Sequence, residues 1–180
     1  MQAELAAFRR ADAGTLATLI AVVGALGIVG FLFFQYVVGL APCPLCLEQR
    51  YAFYVAVPLA VLLWLGAEHG ASHKVLAAGF AAIALAMLWN TGLAVYHAGI
   101  EWKFWAGPGE CTGSLGEIGG RGGLMNQLQS VSVVRCDEAA WRFLGLSLAG
   151  WNVPLSFGLA LVALWGLRGV WQRRRASASA

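Results

Sequence analysis

Four stretches of the chain, Thr15–Phe34, Tyr51–Ala67, Val75–Tyr96 and Phe143–Leu167, contain no Asp, Glu, Lys or Arg. A helix rises ~1.5 Å per residue, so runs of this length match a hydrocarbon core of ~30 Å. The second run is short unless the segment before it supplies its first turn. Apolar residues make up 59% of the sequence and charged residues 12%, against roughly 25% charged in an ordinary soluble domain. Burying four such helices in a soluble core leaves too little polar surface to cover them. The expectation is an all-α membrane protein. It is a single four-transmembrane-helix bundle with spans at about 15–34, 44–67, 75–97 and 146–167 and a long loop, about 98–145, between helices 3 and 4.

An even number of spans puts both tails on one side, and charge selects the side. Arg9, Arg10, Lys74, Arg168, Arg173, Arg174 and Arg175 outnumber Glu4, Asp12 and Glu68 on the side of the tails. On the other side Arg50, Lys103, Arg121, Arg135 and Arg142 are outnumbered by Glu48, Glu101, Glu110, Glu117, Asp137 and Glu138. The positive-inside rule therefore predicts cytoplasmic tails in a plasma membrane. The Arg173–Arg175 cluster follows an apolar span and reads as an inner-leaflet anchor, not a nucleic-acid site. All four cysteines, Cys43, Cys46, Cys111 and Cys136, then lie on the non-cytoplasmic face. Disulfides form and persist in that compartment.

Between the first two runs stands Pro42-Cys43-Pro44-Leu45-Cys46-Leu47-Glu48-Gln49-Arg50. The prolines bar a helix from extending backwards, and proline fits the first helical position. A helix starting near Cys43 or Pro44 stacks Cys43, Cys46 and Arg50 on one face at i, i+3 and i+7. Sulfurs at a helix N-terminus, with a guanidinium one to two turns on, favour thiolate over thiol. The pattern is that of a redox-active dithiol at a membrane surface.

The rest of the chain supports this organisation. Arg9-Arg10 before an apolar run resembles a signal peptide, but the run exceeds a signal's apolar region, so span one is read as retained. Its Gly24, Gly27 and Gly30 suit close helix packing in lipid. Pro58 predicts a bend in span two. His69 and His73 share a short turn without a third ligand, so no metal site is expected there. In the long loop, Gly119-Gly120-Arg121-Gly122-Gly123 reads as a hinge and Leu124–Val131 as a short helix lying on the bilayer. Most of the eight tryptophans fall near span ends, as interfacial belts require.

Two cysteine pairs on one face permit a relay of thiol–disulfide exchange, from a loop pair that a soluble protein reaches to a pair beside a lipid-accessible cation. A lipid-soluble two-electron carrier at the end of such a relay is a quinone, ubiquinone or menaquinone. The C-x-x-C with Gln49-Arg50, the Tyr96-His97-x-Gly99-x-Glu101 stretch, Gly107-Pro108-x-x-Cys111, and Cys136 with Trp141 resemble the DsbB family of bacterial inner-membrane disulfide bond formation proteins. The resemblance covers about residues 15–167. It implies a protein-dithiol:quinone oxidoreductase that reoxidises a DsbA-like, thioredoxin-fold periplasmic partner. Cys111, disulfide-bonded to Cys136, would receive the partner's thiol. Cys136 would attack Cys43, and Cys46 would face the quinone as a thiolate, with Arg50 and His97 binding the quinone. Pro44 inside the motif departs from many members, and Glu48 has no role in this scheme.

Two other readings share the sequence. Purely structural disulfides in a four-span scaffold or transporter are disfavoured because a C-x-x-C closes almost no chain. A paralogue with one dedicated partner, or one running in the reducing direction like vitamin K epoxide reductase, shares the same chemistry. Zinc is disfavoured because the other two cysteines are spaced badly for it.

Overall fold

The computed structural model describes residues 13–108 and 135–178, with side chains described to Gln172. Cys111, the Gly119–Gly123 hinge, the Leu124–Val131 helix and the tail before Ala13 lie outside the described residues. The elements are α1 (Ala13–Tyr36), α2 (Pro44–Glu68), α3 (His73–Glu101), β1 (Arg142–Phe143), β2 (Leu146–Ser147) and α4 (Leu148–Ala178). Each of the four helices is long and apolar enough to cross a membrane. Helix α1 packs on α2, α2 on α3, α3 most extensively on α4, and α4 back on α1. The chain is a four-helix membrane bundle.

Local chemistry sets the helix ends. Pro44 opens α2 and Cys43 is its N-cap, in extended backbone, with its sulfur accepting the Cys46 amide at 3.2 Å. Ser72 caps α3 in the same way, accepting from the Val75 amide. Gly70, at φ 73°, ends α2 as the left-handed residue after its C-cap, and the following Ala71 amide returns to the Gly66 carbonyl.

The core runs the length of the bundle through Ile20, Phe53, Leu63, Phe80, Ile83, Met87 and Leu159. Lipid-facing side chains such as Leu26, Leu85 and Trp89 stay exposed, since the hydrocarbon is as apolar as the core. Helices approach closely at small residues. A Cβ on Gly24 would lie 2.7 Å from Val57, on Gly79 2.4 Å from Leu63, and on Gly166 2.6 Å from Phe80. Gly27 is also packed, against Phe53, whereas Gly30 meets nothing within 4 Å. The glycine pattern of α1 thus marks a contact at two positions and not at the third.

Before α4 the chain makes a two-residue hairpin, pairing Arg142 with Ser147 and Phe143 with Leu146. Its central residues Leu144 and Gly145 have φ 52° and 83°, the two positive values that a type I′ turn requires. Ser147 then caps α4 by accepting the Gly150 amide at 3.0 Å.

Candidate functional site

The cysteine motif folds into the first turn of α2, at the end of the bundle where α1 ends and α4 begins. Cys43 and Cys46 are free thiols with sulfurs 2.7 Å apart, and Cys136 is disulfide-bonded. The Cys43 and Cys136 sulfurs and a ring nitrogen of His97 all lie within 4.8 Å of one another, and all three residues are buried. With the Cys136 sulfur committed to a disulfide, the cluster is a geometry for thiol–disulfide exchange, in which a thiolate approaches a disulfide sulfur.

Cys43 is built to carry the negative charge of the pair. It accepts the Cys46 backbone N–H at 3.2 Å and lies 2.7 Å from the Cys46 sulfur and 3.6 Å from His97 Nε2. The hydrogen bond from the Cys46 side chain is the largest influence and His97 adds to it. Together they outweigh burial and pull the Cys43 thiol down to about 5.

Cys46 and Arg50 share a cavity whose walls are Phe31, Phe34, Leu40 and Leu148, with Gln35, Gln49 and Asn152 also lining it. The Arg50 guanidinium donates to Gln35 Oε1 and lies 5.8 Å from the centre of the Phe31 ring. It is 8% exposed, and no acidic side chain among the described residues pairs with it. A buried cation beside a redox thiol, facing an apolar cavity, suits an anionic or polar ligand. From Phe34 an aromatic row runs through Trp141 and Phe143 to Trp151, whose indole donates to the Phe143 carbonyl.

His97 does not line that cavity. Its Nδ1 lies 2.9 Å from Gln49 Nε2 and its Nε2 3.9 Å from a Glu101 oxygen. Glu101 in turn accepts from the Ser147 hydroxyl. The i, i+3, i+7 face expected of the motif therefore divides: Cys46 and Arg50 turn to the cavity, and Cys43 turns to His97 and Cys136. The segment carrying Cys136 is tied to the end of α3 by Lys103 Nζ, which donates to the Asp137 carbonyl and carboxylate at 2.8 Å each. Arg135 completes the cluster on Asp137.

The sequence profile of the family described as "Disulfide bond formation protein DsbB" matches residues 13–166. The chain belongs to the DsbB family. "Disulfide bond formation protein B" of Aromatoleum aromaticum is 34% identical over 153 residues, covering 82% of this chain and 87% of that one. The Hahella chejuensis protein of the same name is 34% identical over 161 residues, covering 82% and 87%. That of Xanthomonas axonopodis pv. citri is 34% identical over 141 residues, covering 74% and 78%. No solved structure gives a significant match. As a DsbB-family member the chain is a disulfide-forming membrane oxidoreductase.

Sequence reasoning did not single out Gln35, Asn90, Asn152, Ser147 or Ser156 as site residues. Gln49 carried a signal, since it directly precedes Arg50 in the motif. Asn90, Asn152, Ser147 and Ser156 lie inside the apolar runs, where an intramembrane polar residue is the cue, and Gln35 lies just past the end of the first run.

Proposed function

We propose that this chain transfers electrons from a thioredoxin-fold periplasmic dithiol, through the Cys111–Cys136 and Cys43–Cys46 pairs, to a membrane quinone, with both tails in the cytoplasm. The observation that carries this reading is the placement of Cys43: within 4.8 Å of the Cys136 sulfur on one side, and bound on the other to Cys46, which shares a cavity with Arg50.

The exchange balances within the chain's own sulfurs. The partner's dithiol reduces the Cys111–Cys136 disulfide and leaves as a disulfide. The Cys136 thiolate attacks Cys43 of the Cys43–Cys46 disulfide; a Cys136–Cys43 bond forms, the Cys43–Cys46 bond breaks, and Cys46 leaves as a thiolate beside Arg50. Cys111 then gives up its thiol proton, closes on Cys136 and releases Cys43 as a thiolate; Cys46 takes up that proton and, with His97, donates to the Cys43 sulfur. The product has an oxidised Cys136 and reduced Cys43 and Cys46, which is the state of these three residues here.

A quinone would supply the electron sink, taking two electrons and two protons per turnover. The lining has the chemistry for it: Phe31 and Phe34 offer flat apolar walls, and Arg50 offers a donor for a ring oxygen. In this reading Arg50 binds the oxygen that gains charge. His97, expected from the family resemblance to bind the quinone, is assigned instead to the Cys43 sulfur, because it faces that sulfur and not the cavity.

The test is quinone reduction by the purified protein with a reduced thioredoxin-fold oxidase and a soluble ubiquinone or menaquinone analogue. Wild type should bleach the quinone and Cys46→Ser should not. Cysteines that stay oxidised when the reduced partner is added without quinone would point instead to a scaffold with structural disulfides.

A further inference from the structure

We propose that Gln49, Asn152, Ser156 and Asn90 are positioning residues: a polarised hydrogen-bond line, buried in the bundle, that fixes His97 with its hydrogen on Nε2 and aims it at the Cys43 sulfur. This rests on the reading of Cys43 as the exchanging sulfur and goes beyond it.

The line is continuous and its direction is set bond by bond. Asn90 Nδ2 donates to Ser156 Oγ at 2.7 Å, and the Ser156 hydroxyl donates to Asn152 Oδ1 at 3.1 Å. Asn152 Nδ2 donates to Gln49 Oε1 at 2.6 Å, which leaves the Gln49 amide nitrogen to face His97 Nδ1 at 2.9 Å. An amide nitrogen only donates, so Nδ1 accepts and the ring hydrogen sits on Nε2, 3.6 Å from Cys43 Sγ. Every dipole in the series points its positive end toward that sulfur.

All five side chains are nearly inaccessible: Asn90 1%, Ser156 0%, Asn152 3%, Gln49 4% and His97 2% exposed. Polar groups at such depth carry a desolvation cost that a satisfied network offsets. Only the terminal Asn90 Oδ1 lacks a partner among the described residues, as a line with a single direction requires at its starting end. The line joins α3, α4 and α2, so the tautomer of His97 depends on residues that touch neither a thiol nor the ring. Reversing the line would put the hydrogen on Nδ1 and turn a lone pair, instead of a donor, toward Cys43. A thiolate at Cys43 selects the observed direction.

The groups around the Cys43 sulfur are Cys46 from α2, His97 and Glu101 from α3, and the closed sulfur of Cys136; Arg142 of β1 acts on Glu101. The experiment uses the full chain in detergent, with Cys43 and Cys46 reduced and the outer pair oxidised. Nitrogen-15 spectra of the labelled histidines, assigned with His97→Gln, read the tautomer. Thiolate absorbance against pH reads Cys43, with Glu101→Gln in parallel to separate that carboxyl's own titration.

Wild type should show hydrogen on Nε2. Gln49→Met should mix the tautomers and raise the Cys43 midpoint by about one pH unit or more. Ser156→Ala should move both readouts in the same direction by less, and Ser156→Thr, which restores the hydroxyl, should return them toward wild type. If Gln49→Met fails to fold, judged by circular dichroism, the Ser156 pair decides. A wild-type hydrogen on Nδ1, or midpoints unmoved in the folded variants, overturns the proposal. Neither readout uses quinone or partner, so failure here is distinct from failure of the proposed electron transfer.

Discussion

Lys103 reaches from just beyond the end of α3 to Asp137, the residue after Cys136, and holds both its carbonyl and its carboxylate at 2.8 Å. Lys103 itself sits at φ 63°, a left-handed conformation that costs a non-glycine residue energy and persists where the surroundings require it. The contact fixes the chain on one side of Cys136 to the helix that carries His97.

Lys103→Ala or Asp137→Ala should slow exchange between the two cysteine pairs by roughly tenfold, because reactions between held groups are sensitive to displacements near 1 Å. Rapid acid quenching and thiol trapping after reduction of the outer pair would measure it, and an unchanged rate would remove the clamp's role. The pH dependence has a defined sign. Hydrogen bonds from Arg135 first, and Lys103 next, hold the Asp137 carboxyl well below the usual carboxylate range. Its contribution is therefore complete above the unfolded carboxylate value of ~3.9 and is lost only as pH falls through the depressed folded value. Exchange lost between pH 7 and pH 5 would not come from this clamp.

Cys43 titrates in that window. With its thiol pulled down to about 5 by Cys46 and His97, the reduced pair already carries one thiolate at neutral pH. Reducing the Cys43–Cys46 disulfide then takes up one proton per two electrons above pH 5 and two below it. The midpoint potential should fall by ~30 mV per pH unit above pH 5 and by about twice that below it. The stabilised thiolate favours the reduced form across the range between 5 and an ordinary thiol value, so it makes the disulfide a stronger oxidant. Redox titration at several pH values checks this, and a slope near 60 mV at neutral pH would contradict it.

Much of this was legible in the sequence, and the illegible part has a physical reason. The prolines around Cys43 announced where α2 starts, and the uncharged runs announced the spans, because both depend on local chemistry. Gly24 and Gly27 marked helix contacts, but Gly30, with the same spacing, faces open space; composition shows small residues and not what stands opposite them. The hairpin before α4 was missed because its turn begins with Leu144, a residue with no preference for positive φ. The polar line was invisible for a different reason. Its bonds join residues 48, 103 and 66 positions apart, on three helices whose rotation about their axes no local pattern fixes. The same rotation sends Cys43 away from the cavity that Cys46 and Arg50 share, although the helical face places all three together.

Packing gives a prediction independent of chemistry. A Cβ on Gly166 would lie 2.6–2.8 Å from the ring of Phe80, which is 0% exposed and held in the core. Gly166→Val should force α3 and α4 apart at this contact and destabilise the bundle by about 1–3 kcal/mol. Gly30→Val, with nothing within 4 Å, should be close to neutral. Thermal unfolding in detergent, followed by circular dichroism, separates the two, and equal losses would mean that the helix contacts are misplaced.

Arg50 gives the sharpest division between the two halves of the relay. Arg50 is buried, its guanidinium lies against Phe31 and donates to Gln35, and the residue lines the cavity with Cys46. The donor facing the sulfur in the exchange cluster of Cys43 and Cys136 is His97. Replacing Arg50 with His or Gln should therefore leave thiol exchange between the pairs within about twofold of wild type. A charge-assisted hydrogen bond contributes ~1.5–3 kcal/mol, so the KM for a quinone should rise roughly 10- to 100-fold. Arg50→Lys keeps the charge but loses the planar fork and the stacking on Phe31, and should recover only part of that loss. Steady-state quinone reduction and quenched thiol exchange, run on the same variants, read the two halves separately. If exchange slows in step with quinone reduction, Arg50 acts on the sulfurs and its assignment to the ligand is wrong. If only the quinone KM moves, the cavity holding Cys46 is where electrons leave the protein.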